Sequence, residues 1–138
     1  LVDVELYFPR AGGRGLGFEV REFTLTEDDD LYTTVTLALL EGPESSSLRA
    51  LFPEGTELLG TRLEDGVCYV NFSSALIEQA PEEPSEQDLL LYSIVDTLGN
   101  LDSVTSVQLL VEGEVPKSYG STDTTLPLEP DFGLLAGE

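Results

Sequence analysis

The chain has 138 residues, of which 41% are hydrophobic, and its 27 acidic residues outnumber 6 basic ones to give a net charge of −21. This length predicts one globular domain with a single core. The charge argues against a nucleic-acid partner, because phosphate binding needs clustered Lys and Arg, and against direct binding to an anionic membrane surface.

Three further signals set limits on the chain. No stretch approaches the ~20 apolar residues that span a bilayer, and no signal segment is recognisable. The sequence lacks methionine, so we expect it to be a processed piece of a longer protein. Its single cysteine cannot form an internal disulfide, so cysteine usage leaves the redox compartment open.

The N-terminal third predicts a hairpin followed by a helix. The stretch VDVEL alternates apolar and acidic residues, which is typical of a half-buried strand. A second strand is expected around Phe18 and Val20, after the glycine-rich connection AGGRGLG. From Asp30, apolar residues recur at helical spacing until Gly42 and Pro43 stop the run, so the first helix is predicted at about residues 29 to 41.

The centre of the chain predicts a second hairpin with a computable register. Asp65-Gly66 lies between two alternating runs, and this dipeptide favours a type I′ turn, in which both central residues need positive φ. One face of the hairpin is then almost wholly apolar. The predicted pairs on that face are Leu63 with Cys68, Thr61 with Val70 and Leu59 with Phe72, and those on the other face are Glu64 with Val67, Arg62 with Tyr69 and Gly60 with Asn71.

This register places Cys68 on the core face. A buried cysteine behaves as a small hydrophobic residue with a raised pKa and little nucleophilicity. Because the chain has no histidine, nothing obvious would activate the thiol. We therefore interpret Cys68 as a packing residue and the Glu-Asp-Gly tip as a turn.

The last third predicts a helix, a strand and an irregular tail. Ser85 with Asp88 resembles a capping box at the start of the second helix. The helix stripe is Leu91, Ile94, Val95 and Leu98, the last strand carries Val107, Leu109 and Val111, and the residues expected to pin the tail to the core are Leu126, Leu128 and Phe132. The order β-β-α-β-β-α-β predicts an α+β fold, a mostly antiparallel sheet with two helices packed on it, over residues 1–115, followed by an irregular segment over 116–138.

Few catalytic arrangements are open to this composition. The absence of histidine excludes Ser-His-Asp and Cys-His catalysis and removes the commonest zinc ligand. A Ser-Lys mechanism could use only Lys117 beside Ser118, in a region flanked by Pro and Gly that would not hold a base rigidly. Two carboxylates about 5 to 10 Å apart in a cleft could hydrolyse a glycan, but with 27 acids such a pair arises by chance.

Two other motifs have a structural and a binding interpretation. The acidic run Glu27 to Asp30 could offer oxygen ligands to calcium, but it lacks the spacing of a calcium loop, so we favour acids in a first helical turn. Gly13, Gly15 and Gly17 are spaced like a phosphate cradle. Because the loop leads into a strand and not into a helix N-terminus, a hairpin connection is favoured.

Four segments together resemble a known family. They are VELYFPRAGGRGLGFEVRE from Val4 to Glu22, ALLEGP from Ala38 to Pro43, LFPEGTELLGTRLEDGVCYVNFSSAL from Leu51 to Leu76, and LLLYSIVDTLGNLDSVTSVQLLVEGEV from Leu89 to Val115. In order and approximate spacing they resemble the GerMN domain of GerM-type sporulation and germination proteins and of LpqB-type lipoproteins. The resemblance implies a fold similar to ring-building motifs and a non-enzymatic, extracytoplasmic, usually membrane-anchored domain.

The resemblance implies no catalytic residue, metal or cofactor. The chain departs from the family in two respects. Family members often carry more basic residues, and GerM-type proteins can hold two domain copies where this chain is expected to hold one.

The leading hypothesis is a protein-protein interaction module of the bacterial cell envelope, in sporulation or germination, that acts through a sheet edge or a helix face. Its expected partner is an envelope or sporulation-complex protein, and self-assembly is a further option. Two alternatives stay open: glycan binding or carboxylate-based glycan hydrolysis, and calcium-dependent adhesion built on Glu27 to Asp30.

Overall fold

The computed structural model describes residues 1–12 and 15–131 of the chain. Seven strands and three helices occur in these residues. In chain order they are β1 (Val2–Pro9), β2 (Leu16–Phe23), α1 (Leu31–Glu41), β3 (Leu58–Glu64), β4 (Val67–Phe72), α2 (Ala75–Glu78), α3 (Pro84–Gly99), β5 (Ser106–Val111), β6 (Ser118–Tyr119) and β7 (Thr122–Asp123).

The strands form two long hairpins and one parallel crossover. β1 pairs with β2 and β3 with β4, both antiparallel, while β5 lies parallel to β4 on the side away from β3. α3 connects β4 to β5, because parallel neighbours need a long connection. The predicted α+β class with mainly antiparallel pairs is confirmed. The described strands differ from the prediction in forming separate sheets, and the order gains α2 and the short β6–β7 hairpin.

The core lies between the strands and the two long helices. Alternate residues of β4 are buried, as the period of a strand requires, and α3 buries the predicted stripe. Each fully buried Leu, Val or Phe contributes roughly 1.5–3 kcal/mol. The main core residues are Val4, Leu6, Phe8, Val35, Ala38, Leu39, Cys68, Val70, Phe72, Leu91, Ile94, Val95, Leu98, Val107, Leu109 and Val111.

The central hairpin confirms the predicted turn and most of the predicted register. Asp65 and Gly66 both have positive φ, 52° and 84°, as a type I′ turn requires. The pairs from Glu64–Val67 to Gly60–Asn71 are those predicted. The pairing of Leu59 with Phe72 is wrong, because the register shifts between Leu58 and Gly60. Leu58 therefore faces Phe72, and Leu59 turns outward with 49% of its surface exposed.

The helix starts correct two predictions. α1 begins at Leu31, and Asp30 caps it by accepting a hydrogen bond from the backbone N–H of Tyr32, so the acidic run precedes the first turn instead of occupying it. α3 is capped by Glu83 without a side-chain hydrogen bond, so the predicted capping box of Ser85 and Asp88 does not form. The helix begins one residue before Ser85, at Pro84, whose fixed φ suits the first helical position.

Asp88 has a long-range role instead. Its carboxylate accepts hydrogen bonds from the backbone N–H of Ser121 and the hydroxyl of Thr122, both at 2.9 Å. Tyr119 is buried beside this turn and donates its hydroxyl hydrogen to the carbonyl oxygen of Leu76 at 2.8 Å. The β6–β7 hairpin is thus fixed to the N-terminal half of α3 and to α2.

The segment after β7 runs along the outer edge of β5. Leu128 exchanges two backbone hydrogen bonds of 2.8 Å with Val107, and the buried Gln108 donates to the carbonyl oxygen of Thr124. Leu128 packs against the core as predicted. The prediction for Leu126 is wrong: the chain bends there, and the side chain is 72% exposed. Phe132 lies outside the described residues.

Candidate functional site

The thiol of Cys68 lies in the core. The side chain is fully buried, and burial, with a smaller contribution from the charge of Asp30, raises its pKa to about 12. A thiol with this pKa is almost entirely protonated at neutral pH and is a poor nucleophile. The structure confirms the sequence interpretation of Cys68 as a packing residue.

The other candidate nucleophile has no organised site around it. Ser118 begins the short strand β6, and both Ser118 and Lys117 are exposed. No hydrogen bond between their side chains occurs in the described part of the chain, where Lys117 uses its backbone carbonyl to accept from the N–H of Thr124. The glycine-rich loop leads into β2, as predicted, and Gly13 lies outside the described residues.

The acidic run is engaged in local hydrogen bonds. Asp29 accepts from the backbone N–H of Thr26, and the second carboxylate oxygen of Asp30 accepts from the hydroxyls of Thr33 and Thr61. Across residues 1–12 and 15–131, no three Asp, Glu or Cys side chains come together as metal ligands. The described geometry therefore lends no support to a calcium site at this run.

The acid with the most unusual environment is Asp96, which sequence reasoning missed. It lies on α3 with no exposed surface, and one carboxylate oxygen accepts from the backbone N–H of Asp131 at 2.9 Å. The other oxygen has no hydrogen-bond partner among the described residues. Burial raises the pKa of Asp96 to about 7, and the charge of Asp131 adds to this rise. Because it is enclosed, Asp96 is positioned to affect stability and not to meet a glycan.

A surface depression near the end of β5 holds two acids. Ile77, Val111, Val115 and Pro116 line it together with Glu112 and Glu114, and no aromatic residue is among them. Glu112 accepts a hydrogen bond from the backbone N–H of Ser74 at the start of α2. Since glycan hydrolases need a free pair of carboxylates and sugar-binding clefts are usually walled by aromatic rings, this depression lacks the features of either.

Two of the outer strand edges are closed. The edge of β5 is paired with Leu128. The edge of β1 faces α3, where the backbone N–H of Tyr7 donates to the hydroxyl oxygen of Thr97 at 2.9 Å in a buried position. Both closures depend on α3, which supplies Thr97 to one and anchors the C-terminal segment of the other through Asp88 and Asp96.

The outer edges of β2 and β3 are open. Within the ranges that the structure describes, no backbone-to-backbone hydrogen bond runs from either strand to anything except its hairpin partner. Each strand also exposes apolar side chains: Phe18 and Val20 on β2 are 47% and 60% exposed, and Leu59 and Leu63 on β3 are 49% and 37% exposed. Unpaired edges of this kind are templates for strand addition.

The two open edges differ in local structure. β3 contains the register shift at Leu59, and the guanidinium of Arg62 lies 4.2 Å from the ring centre of Tyr69, the residue that it was predicted to face. β2 pairs with β1 through eight successive residue pairs without interruption. Bulges discourage further pairing, so β2 is the better template for an added strand.

The open edge of β2 was not identified from the sequence. The signal that could have found it is the pair Phe18 and Val20, two large apolar residues on the face of the ribbon that also carries Glu22. An apolar pair beside acids on an outward face is unexpected for a surface strand without a partner.

Comparisons with known proteins assign the fold and the family. No helix in the described ranges combines the length and the apolar character needed to cross a membrane. The chain is similar to the first GerMN domain of the sporulation protein GerM from Bacillus subtilis, with 20% identity, a TM-score of 0.74, and coverage of 94% of this chain and 98% of that one. It is similar to the tandem GerMN domains of the same protein with 18% identity and a TM-score of 0.75, covering 96% of this chain.

The chain spans 46% of the tandem structure, or about half of it. A third similar structure is a candidate lipoprotein from Clostridium perfringens, with 26% identity, a TM-score of 0.63, and coverage of 93% of this chain and 87% of that one. No curated protein sequence matches the chain.

The family model named Germane, described as sporulation and spore germination, matches residues 5–116. This range contains β2 to β5 and the three helices in full, and β1 from its fourth residue onward. The Germane family is not known as an enzyme family. The GerMN resemblance seen in the sequence is confirmed by the structural matches and by the family match, and the chain belongs to the Germane family of sporulation and spore germination domains.

Proposed function

We propose that the chain is a non-enzymatic interaction module that helps to hold together an assembly of the bacterial cell envelope during sporulation or germination. Membership of the Germane family supports a role in sporulation or germination. The observation that carries the mode of action is the pair of open strand edges, because a domain that closes β1 and β5 but leaves β2 and β3 unpaired has backbone groups available to a partner.

The proposal places the module outside the cytoplasm and attached to the membrane. Similarity to the candidate lipoprotein from Clostridium perfringens supports this location. The charge of −21 supports a protein partner, since nucleic acid and bare anionic lipid would both be repelled.

Site-specific crosslinking in the native cell tests the proposal. A photoreactive amino acid would replace Val20 on the β2 edge, Leu59 on the β3 edge or, as a control, the exposed Ser46 in a loop. We expect envelope proteins to be captured from at least one edge and not from the control. Failure of both edges to capture any envelope protein in sporulating or germinating cells would overturn the proposal.

A further inference from the structure

The outer edge of β2 has the geometry of an unfilled strand position. Its eight residues, Leu16–Phe23, keep one continuous register with β1 and contain neither a bulge nor a proline. A strand of this length presents a row of outward N–H and C=O groups that an added strand would pair. Two-stranded ribbons are marginal by themselves, so a third strand would stabilise this one.

The face next to this edge combines apolar and acidic side chains. Phe18 and Val20 project outward from β2, and Glu22 follows them on the same face. Across the ribbon, Glu5 faces Val20 and Asp3 faces Glu22. Val20 therefore lies beside Glu5 across the ribbon and Glu22 along its own strand, while Phe18 faces Tyr7.

The acids Asp3 and Glu22 face each other across the ribbon and carry the same charge. Like charges directly opposite on neighbouring strands destabilise the pairing. Both side chains are exposed, and no cation among the described residues forms an ion pair with either. The nearest arginine on β2, Arg21, lies on the opposite face and pairs with Glu19 and Glu44.

We propose, on the basis of the function proposed above, that the β2 edge receives an extended basic segment of a partner protein as a third strand of the ribbon. Its apolar side chains pack on Phe18 and Val20, and its Lys or Arg side chains lie against Asp3 and Glu22. Main-chain hydrogen bonds give this mode its affinity, and alternating side chains give it specificity.

Charge selects a basic segment over a second copy of this chain. Two copies joined along β2 would each bring a net charge of −21 to the interface and would repel each other. A basic strand reduces the repulsion that the ribbon already contains. Its binding is therefore expected to weaken as salt screens the pairing.

Selection from a displayed library of random peptides long enough to span β2 tests the inference. The purified chain would be the bait, and the enriched peptides would then be synthesised and measured against the chain and two variants. Val20→Lys places a cation on the proposed surface, and Leu59→Lys is the matched control on the other open edge, since both side chains are about half exposed.

We expect enriched peptides to alternate apolar residues with Lys or Arg and to bind Val20→Lys at least about tenfold more weakly, with little change for Leu59→Lys. Hydrogen exchange should show new protection of β2 amides. Peptides without this alternation, equal losses for both variants, protection on β3, or no peptide that depends on Val20 would each overturn the inference.

Light scattering tests whether a second copy of this chain, and not a basic partner segment, occupies the β2 edge. A dimer in solution that Val20→Lys dissociates would show that a second copy fills the edge and would overturn the inference. The two proposals can fail independently. The proposed function requires that an envelope protein be captured from either open edge, whereas the inference also requires that the binding edge be β2.

Discussion

The two closed edges of this domain are closed by different means. β1 is covered by a helix that supplies one side-chain acceptor, Thr97, to one backbone donor. β5 is covered by the segment after β7, which returns two backbone hydrogen bonds through Leu128, and the β6–β7 hairpin that precedes this segment is fixed at its turn by Gly120. The β1 closure therefore depends on a single hydroxyl where β1 meets α3, and on one backbone hydrogen bond from Arg49 to Pro9 at its end, whereas the β5 closure depends on a chain segment that must stay docked.

Asp96 connects these closures. It precedes Thr97 on α3, and it accepts a hydrogen bond from the backbone N–H of Asp131 at the end of the β5-covering segment. The contrast teaches that a short helix segment can control two sheet edges at once, one through a neutral hydroxyl and one through an ionisable group. Each can be disturbed separately.

The largest effect is expected from Gly120→Ala, which undocks the β5-covering segment. Gly120 has φ of 64°, and an added Cβ would overlap Oδ1 of Asp88 and lie 2.7 Å from the carbonyl oxygen of Pro84. Backbone strain and this overlap together should lower the free energy of unfolding by about 3 kcal/mol. Denaturant unfolding measures the loss, and hydrogen exchange at Val107 reports the opened edge.

Gly113→Ala is the matched control for this change. Gly113 has φ of 78°, but nothing lies within 4 Å of the added Cβ, so only the backbone strain of about 1 kcal/mol applies. Equal losses for the two variants would show that the turn at Gly120 is not a point of close docking.

The next effect is a loss of stability with rising pH caused by Asp96. Its pKa is about 7 in the folded protein and near 4 in an unfolded chain. Between these values the unfolded chain releases the proton while the folded protein retains it, so stability is full below about pH 4, falls up to about pH 7 and then levels.

Asp96→Asn isolates this pH dependence, since it keeps an oxygen acceptor for the N–H of Asp131 and cannot ionise. The difference in free energy of unfolding between the wild type and the variant should change by about 3 kcal/mol between pH 4 and pH 8, because each pKa unit corresponds to about 1.4 kcal/mol. Parallel pH profiles for the two proteins would rule out this role for Asp96.

A smaller effect tests the β1 closure alone. Thr97→Val keeps the side-chain shape but removes the acceptor for the buried N–H of Tyr7, and an unpaired buried donor costs about 1–2 kcal/mol. Thr36→Val is the control: Thr36 is equally buried, but its hydroxyl donates to the carbonyl oxygen of Tyr32 in the preceding helical turn. A loss for Thr36→Val as large as that for Thr97→Val would contradict the edge closure.

The smallest effect concerns the open β3 edge. A double-mutant cycle with Arg62→Met and Tyr69→Leu should give a coupling of about 0.5 kcal/mol, because the cation-π contact is exposed to solvent. Urea unfolding of the four proteins measures it. A coupling of several times this size would mean that the β3 edge is held as firmly as the closed ones.

Local chemistry explains which parts of the fold could be predicted. Asp65 and Gly66 determine their turn through their own backbone preferences, and the alternation around them then fixes most of the register. Leu59 escaped prediction because a register shift moves the backbone without changing the apolar pattern. Nothing in the amino-acid sequence at this position distinguishes a bulged strand from a regular one.

The functional surface depends on contacts between distant parts of the chain. Asp96 follows two apolar helix residues, and only its contact with a segment 35 residues away shows that it is enclosed. The open state of β2 likewise follows from what α3 and the C-terminal segment cover and what they leave uncovered. Sequence patterns report the period of each element but not its neighbours, so the site could not be located from them.

The buried thiol of Cys68 has a practical consequence for labelling experiments. It is the single cysteine of the chain, and its full burial and high pKa make it unreactive toward maleimides and disulfide reagents while the domain is folded. The native protein therefore serves as a cysteine-free background without any substitution. New cysteines at Val20 or Leu59 can carry spin labels or fluorophores selectively, and delayed modification of Cys68 itself records the rate at which the sheet opens.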